Sequence, residues 1–385
     1  MTDAEAYFIY NLLPGIGAVR VRKLTQFFGS VGGALEADLH RLMLVPGIAE
    51  QTARLIHNWR DACKPHPDDE RAEAKRLGVR IIALSDNDFP PPLREIHDPP
   101  HVLYALGTVP SRWQRGLAVV GSRKTSTYGL DCAKKLSFQL AYAGVPVISG
   151  LARGIDTVAH HAALAARGVT WAVQGRGLGG VYPPENEELA KKIADSGGCV
   201  LSEFPLGYPP DRKTFPRRNR IVSGMSHGVL VVEAGVDSGA LITARQALEQ
   251  GRHVMAIPGR IDNPQARGCN LLIKEGAALV EDVDDILRTM EFLAPTLREE
   301  TPELPLLESP GGMGATTLAT TRAAPTNLTP GETAVFDALG MEETPADELV
   351  MKTGLSSGEV STSLFRLEMK KLVKQLPGKV FVRTA

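Results

Sequence analysis

Between residues 117 and 257 the chain alternates short apolar runs with longer stretches whose apolar residues fall three and four apart. The runs at 117–120, 145–149, 170–174, 199–202, 229–233 and 253–257 are four or five residues long, as expected for strands buried on both faces. The intervening stretches 130–143, 156–166 and 241–250 carry helical spacing, the last being the most regular. Strand alternating with helix calls for a parallel sheet. Two earlier apolar runs, 80–84 and 101–106, are expected to extend it, and Pro90-Pro91-Pro92 between them reads as loop.

The flanks have other patterns. Residues 1–65 read as short helices with two similar turns, Leu13-Pro14-Gly15-Ile16-Gly17 and Val45-Pro46-Gly47-Ile48-Ala49, which resemble paired helix-hairpin-helix or SAM-like units. Such glycines either let backbone N–H groups approach phosphates or simply allow tight turns between helices. A polar connector beginning at Lys64-Pro65-His66-Pro67 opens the segment 66–292, read as one extended α/β domain. Residues 293–330 hold six prolines in 38 positions and read as a flexible linker. In 331–385 three helical patterns and a terminal β-ribbon read as a winged helix. Its Arg366, Lys370, Lys371, Lys374 and Lys379 fit DNA contact, yet seven cations against eight acids fit a protein-contact or vestigial module equally well.

Composition narrows the function classes. At 385 residues and a net charge of −1, nucleic-acid binding would have to be local to one site. The four cysteines are far apart and form no C-x-x-C pair, which argues against structural zinc and fits a reducing cytosol. The amino terminus lacks the basic and apolar regions of a signal peptide, and no apolar run spans a bilayer. A cytoplasmic protein without membrane contact is expected.

Candidate chemistry gathers where the strands end. Arg212, Lys213, Arg217, Arg218 and Arg220 fall within nine residues that also hold Phe215, Pro216 and Asn219, with Asp211 just ahead. The stretch lies beyond a strand end, where open α/β sheets bind ligands, and Pro216 suits a first helical position. It reads either as a seat for a phosphate-rich ligand or as a solvated cationic helix face. Gly121-Ser122-Arg123 offers close backbone approach, a hydroxyl and a guanidinium fork, and Ser238-Gly239 with Thr243 opens a hydroxyl-capped helix. Phe215 and Tyr182 are available for base stacking. Glu203 and Glu233 read as catalytic carboxylates or as holders of the arginines.

Three motifs point away from cofactors. Gly175-Arg176-Gly177-Leu178-Gly179-Gly180 matches G-x-G-x-x-G, but Val181-Tyr182-Pro183-Pro184 follows, so no helix opens on it as a dinucleotide site requires. No Walker A sequence is present. Asp156 reads as an N-cap, and the adjacent His160 and His161 face different directions on one helix and cannot chelate together. Neither cofactor nor metal is expected.

The chain resembles the DprA/Smf family in Gly121-Ser122-Arg123, Ser149-Gly150-Leu151-Ala152-Arg153-Gly154-Ile155-Asp156 and Phe215-Pro216-Arg217-Arg218-Asn219-Arg220-Ile221-Val222-Ser223-Gly224. Val231-Val232-Glu233, the run 238–245 and Gly268-Cys269-Asn270-Leu271-Leu272-Ile273-Lys274-Glu275-Gly276-Ala277 complete the resemblance over about residues 80–282. It implies an extended Rossmann fold that binds single-stranded DNA in a basic pocket, dimerises, and loads RecA in natural transformation or recombination without enzymatic turnover. Single-strand-binding protein is a further expected partner. By motif the resemblance places Arg123, Arg212 and Lys213 in the pocket; with the strand-end groove, the site residues implied are Ser122, Arg123, Gly150, Arg153, Arg212, Lys213, Phe215, Arg218, Asn219, Arg220, Ser238, Gly239 and Thr243. Gly179 departs from the aspartate usual in the family. The alternative is a Rossmann nucleoside-phosphate hydrolase of the lysine-decarboxylase-like type, using Glu203 or Glu233 on a ribose. A sequence-specific transcription factor led by the winged helix is weaker, for its recognition helix has few base-reading side chains.

Overall fold

The computed structural model describes residues 1–110, 113–291, 329–339, 344–369, 372–376 and 380–383, in two compact units divided after Pro302. The first unit is built on strands β1 (Arg80–Ala83), β2 (Val102–Gly107), β3 (Leu117–Val120), β4 (Val147–Ser149), β5 (Thr170–Val173), β6 (Cys199–Ser202), β7 (Gly228–Val231), β8 (His253–Ala256) and β9 (Ala278–Leu279). They form one sheet in the order β1-β2-β6-β5-β4-β3-β7-β8-β9. All pairings from β6 to β9 are parallel, and the antiparallel pair β1/β2 is added along the β6 edge.

The strand interiors show why the apolar runs are continuous. Leu117 and Val119 belong to one apolar cluster, Ala118 and Val120 to another, because successive side chains leave opposite faces of a strand. Helices Thr127–Tyr142 and Ile155–Ala165 cover the first face, and Thr214–Met225 and Gly239–Glu249 the second. The chain runs outward from β3 through β4 and β5 to β6, then crosses back to place β7 on the other side of β3. A crevice opens beyond the strand ends wherever the order reverses in this way.

The amino-terminal helices join the same unit. Asp3–Leu12, Ala18–Phe28, Leu39–Met43 and Glu50–His57 share an apolar cluster with Val102 and Tyr104 of β2 and Val200 of β6. Gly15 and Gly47, at the two hairpin turns, have φ of +74° and +84°, a backbone that glycine adopts without strain. Two local expectations are corrected. Pro91-Pro92 starts the short helix Pro91–Arg94, since proline is tolerated in a first turn where no N–H is required. Ala278–Leu279 adds an edge strand too short to leave a period-two signal.

In the second unit, helices Pro330–Ala338, Ala346–Thr353 and Ser357–Met369 pack with a three-stranded sheet in the order β10 (Thr344–Pro345), β12 (Val380–Arg383), β11 (Val373–Leu376). Val335, Leu349, Leu364 and Phe381 are buried together, giving a winged helix with its own core. Arg366 is exposed on the third helix and Lys374 lies on β11. The linker expected at 293–330 falls almost wholly outside the described residues, as do Lys370, Lys371 and Lys379. No helix among the described residues is long and apolar enough to cross a membrane.

Candidate nucleic-acid interface

A cleft of about 750 Å³ opens at the β3/β7 reversal. Its floor is fixed by backbone. The Ser122 N–H donates to Glu233 O at 2.7 Å, joining the two strand ends, and a Cβ on Gly121 would lie 2.5 Å from Ile155. The Ser122 hydroxyl donates to Lys124 O at 2.7 Å and accepts from the Lys124 N–H at 3.1 Å, so it shapes the loop that presents Arg123 and Lys124 to solvent.

Glu233 is buried and holds this loop from the other side. Its carboxylate accepts the Ser126 N–H at 2.7 Å, the Ser126 hydroxyl at 2.6 Å and Asn263 Nδ2 at 3.3 Å. Gly129 makes room for it, since a Cβ there would stand 2.6 Å from Glu233 Oε2. Of the two readings left open for Glu233, arginine holder and catalyst, the structure shows neither: it is an anchor for backbone and hydroxyl.

The basic stretch is a helix, Thr214–Met225, beginning two residues before the expected Pro216. Thr214 is buried and its hydroxyl donates to Gly175 O at 2.5 Å, docking the helix start on the loop after β5. Positions 218, 221, 222 and 225 fall on one face and are all buried, which places Arg218 among apolar neighbours. Its Nη1 lies 4.0 Å from Asp156 Oδ2. Burial draws the Arg218 guanidinium down to about 10, opposed by Asp156, and pushes the Asp156 carboxyl up, opposed by Arg218 and two loop amides.

Asp156 is not an N-cap. Gly154 occupies that position, and Asp156, in the first turn, accepts the N–H groups of Gly150 at 3.0 Å and Ala152 at 3.3 Å. It therefore ties the loop after β4 to the helix that follows. His160 is buried against the Thr170 hydroxyl at 2.7 Å, and burial lowers its pKa to about 3, so it stays neutral, while His161 faces solvent.

Of the implied site residues, Ser122, Arg123, Arg212, Phe215, Arg218, Asn219, Ser238, Gly239 and Thr243 line the cleft. Arg123 lies over the Phe215 ring, 5.0 Å from its centroid, and Tyr182 stands 5.7 Å beyond, tilted by 40°. A cation and two rings thus form one wall. The Ser238 hydroxyl accepts the Ala240 N–H at 3.3 Å and caps helix Gly239–Glu249, which opens at the opposite wall. Asn219 Nδ2 donates to Gly239 O at 3.4 Å and links the walls.

Four implied residues sit elsewhere. Gly150 lies directly beneath Arg218, where a Cβ would meet Nη1 at 1.3 Å, so its part is to admit that guanidinium. Arg153 borders a narrow recess behind Phe215 and is ion-paired with Glu185. Lys213 is exposed outside the cleft lining. Arg220 turns to the far side of its helix, where Nη2 meets Glu203 at 2.6 Å and Nε meets Asp98 at 3.1 Å. Glu203, also 3.4 Å from Arg217, is the arginine holder that the sequence allowed.

Lys124 and Gln265 line the cleft without having been singled out. Lys124 follows from the same strand-end rule as Arg123, whereas Gln265, from the loop after β8, leaves no signal in the sequence. The glycine run after β5 makes no helix start. Gly177 N–H donates to Tyr208 O at 3.0 Å and Gly179 N–H to Leu206 O at 2.9 Å, so these amides are spent on backbone. A Cβ on Gly179 would stand 2.7 Å from Leu206 O, which accounts for glycine at that position.

The chain is similar in sequence and fold to known proteins. The family model for DNA recombination-mediator protein A matches residues 80–291, and the DprA winged helix domain matches 319–379. Protein Smf of Synechocystis sp. is 35% identical over 396 residues, covering 98% of each chain. Protein Smf of Escherichia coli is 42% identical over 298 residues, covering 77% of this chain and 76% of that one. The crystal structure of DNA processing protein A from Streptococcus pneumoniae superposes with a TM-score of 0.64 at 34% identity, over 75% of this chain and 98% of that one. DNA processing protein A from Helicobacter pylori, studied for its single-stranded DNA binding mode, gives a TM-score of 0.50 at 26% identity, over 56% of this chain and 96% of that one. With the family model matched across the whole sheet and its cleft, the chain belongs to the DNA recombination-mediator protein A family.

Proposed function

We propose that the chain binds single-stranded DNA in the β3/β7 cleft with little regard to sequence, and hands it to a RecA recombinase in the cytoplasm during natural transformation or recombination. The observation that carries this reading is the wall of Arg123, Phe215 and Tyr182 facing the capped start of helix Gly239–Glu249. Ring faces stack on any base, and the exposed cations Arg123, Lys124 and Arg212 suit a phosphate backbone. The Helicobacter pylori relative supports the same ligand. Homodimerisation and exchange with single-strand-binding protein belong to this reading through the family.

The protein acts on this account by holding DNA, without turnover. A hydrolase would need a carboxylate free to reach a ribose. Glu203 and Glu233 are 5% and 2% exposed and are occupied by arginines and by loop donors respectively. Mobility shifts with single- and double-stranded oligonucleotides across a salt series test the reading. A clear preference for the single strand is expected, with a log–log salt slope of about −0.7 per phosphate, near −2 for three cations. Equal affinity for blunt duplex, or base release from nucleoside monophosphates, would overturn it.

A further inference from the structure

A second cleft, of about 1130 Å³, lies between the amino-terminal helices, the loop that leads into β2 and the loop after β6. Pro216 lines both clefts, so the first turn of helix Thr214–Met225 is the ridge between them. On the far side of that ridge the wall of the first cleft has a counterpart. Arg217 lies over the Phe204 ring, 4.9 Å from its centroid, and Tyr208 stacks on Phe204 at 5.1 Å with 40% of its surface exposed.

The opposite wall is the first hairpin, Leu13 to Gly17, and the start of helix Ala18–Phe28. Gly17 caps that helix without a side chain, and the space where its Cβ would sit is empty within 4 Å. Its φ of −99° suits any residue, so neither packing nor backbone strain demands glycine there. What the glycine provides is open access to the positive end of the helix. Arg20, Lys23 and Lys64 also line the cleft and form no ion pair among the described residues.

Beneath the cleft lie two buried polar atoms without a protein partner among the described residues. His101 Nε2 and Arg220 Nη1 belong to residues only 5% and 9% exposed, and neither atom has a hydrogen-bond partner among the described residues. Both residues line this cleft. Arg220 spends its other two nitrogens on Asp98 and Glu203, which leaves Nη1 as an unused donor.

We infer that a single strand seated in the first cleft continues over the Pro216 ridge into the second, where the start of helix Ala18–Phe28 and nearby cations take its phosphates and Tyr208 takes a base. This inference rests on the proposed function and extends its footprint. It gives the amino-terminal hairpin a role in holding DNA as well as in packing.

The test compares oligothymidylates of about six and about eighteen nucleotides, lengths chosen to fill one cleft or both, on the full chain. The longer strand is expected to bind more than tenfold tighter, about 1.4 kcal/mol. Gly17→Asp and Tyr208→Ala should each remove about tenfold from the long strand and less than about twofold from the short one. Asp is a good helix cap, so Gly17→Asp should keep or raise the melting temperature, which separates lost binding from lost fold. Equal affinity at both lengths, or equal loss on both strands in the variants, overturns the inference. Failure of the unaltered chain to bind the short strand would overturn the proposed function, and this extension with it.

Discussion

Arg123→Ala is expected to weaken single-strand binding by between about tenfold and about a hundredfold, while leaving the fold intact. The guanidinium is exposed, lies on the Phe215 ring and forms no ion pair among the described residues, so removing it breaks no buried pair. Hydrogen bonds to charged groups contribute roughly 1.5–3 kcal/mol, and the fork meets its phosphate beside a ring that excludes water on one side. Surface changes of this kind alter stability by about 0.5 kcal/mol or less. Arg123→Lys should restore only part of the affinity, since it returns the charge without the planar fork. Fluorescence-anisotropy titration of the three proteins at one salt concentration checks this. Unchanged affinity in Arg123→Ala would show that the strand binds elsewhere.

Gly150→Ala should act on the fold. The added methyl carbon would stand 1.3 Å from Arg218 Nη1, in a place where Arg218 is 5% exposed. The guanidinium must move away from Asp156, leaving that carboxylate buried without its cation. Parting a buried ion pair costs about 3–5 kcal/mol. Because the arginine can swing toward the cleft, the lower end, about 3 kcal/mol, is expected. All three tryptophans, Trp59, Trp113 and Trp171, precede residue 291, so fluorescence during urea unfolding reports this unit without the winged helix. A midpoint equal to that of the unaltered protein would mean that Gly150 does not seat Arg218.

How far the sequence could be read depends on what each signal measures. Continuous apolar runs report burial on both faces, and every central strand from β3 to β8 was legible for that reason. β9 was not, because two residues cannot show a period. The site was legible as a set of strand ends, since the ligand crevice of an open α/β sheet is fixed by topology. Within it, the fate of each cation was harder to see. Arg217, Arg218 and Arg220 are near neighbours in the chain, yet helical geometry sends Arg218 to Asp156 and Arg220 to Glu203. The apolar partners of Arg218, at 221, 222 and 225, held that information in their spacing. Nothing local indicated that Gly150 would underlie Arg218, because that contact joins residues 68 positions apart.

The central claim, that the β3/β7 cleft and not the winged helix holds the single strand, is tested most directly by a chain ending at Glu291. That chain keeps the whole sheet, both faces of its core and every residue of the cleft lining. Titrated with labelled oligothymidylate, it should fold and bind within about fivefold of the full chain, since screened cations on a tethered tail contribute about 1 kcal/mol or less. A folded chain ending at Glu291 that no longer binds the single strand would contradict the claim and assign DNA holding to the winged helix.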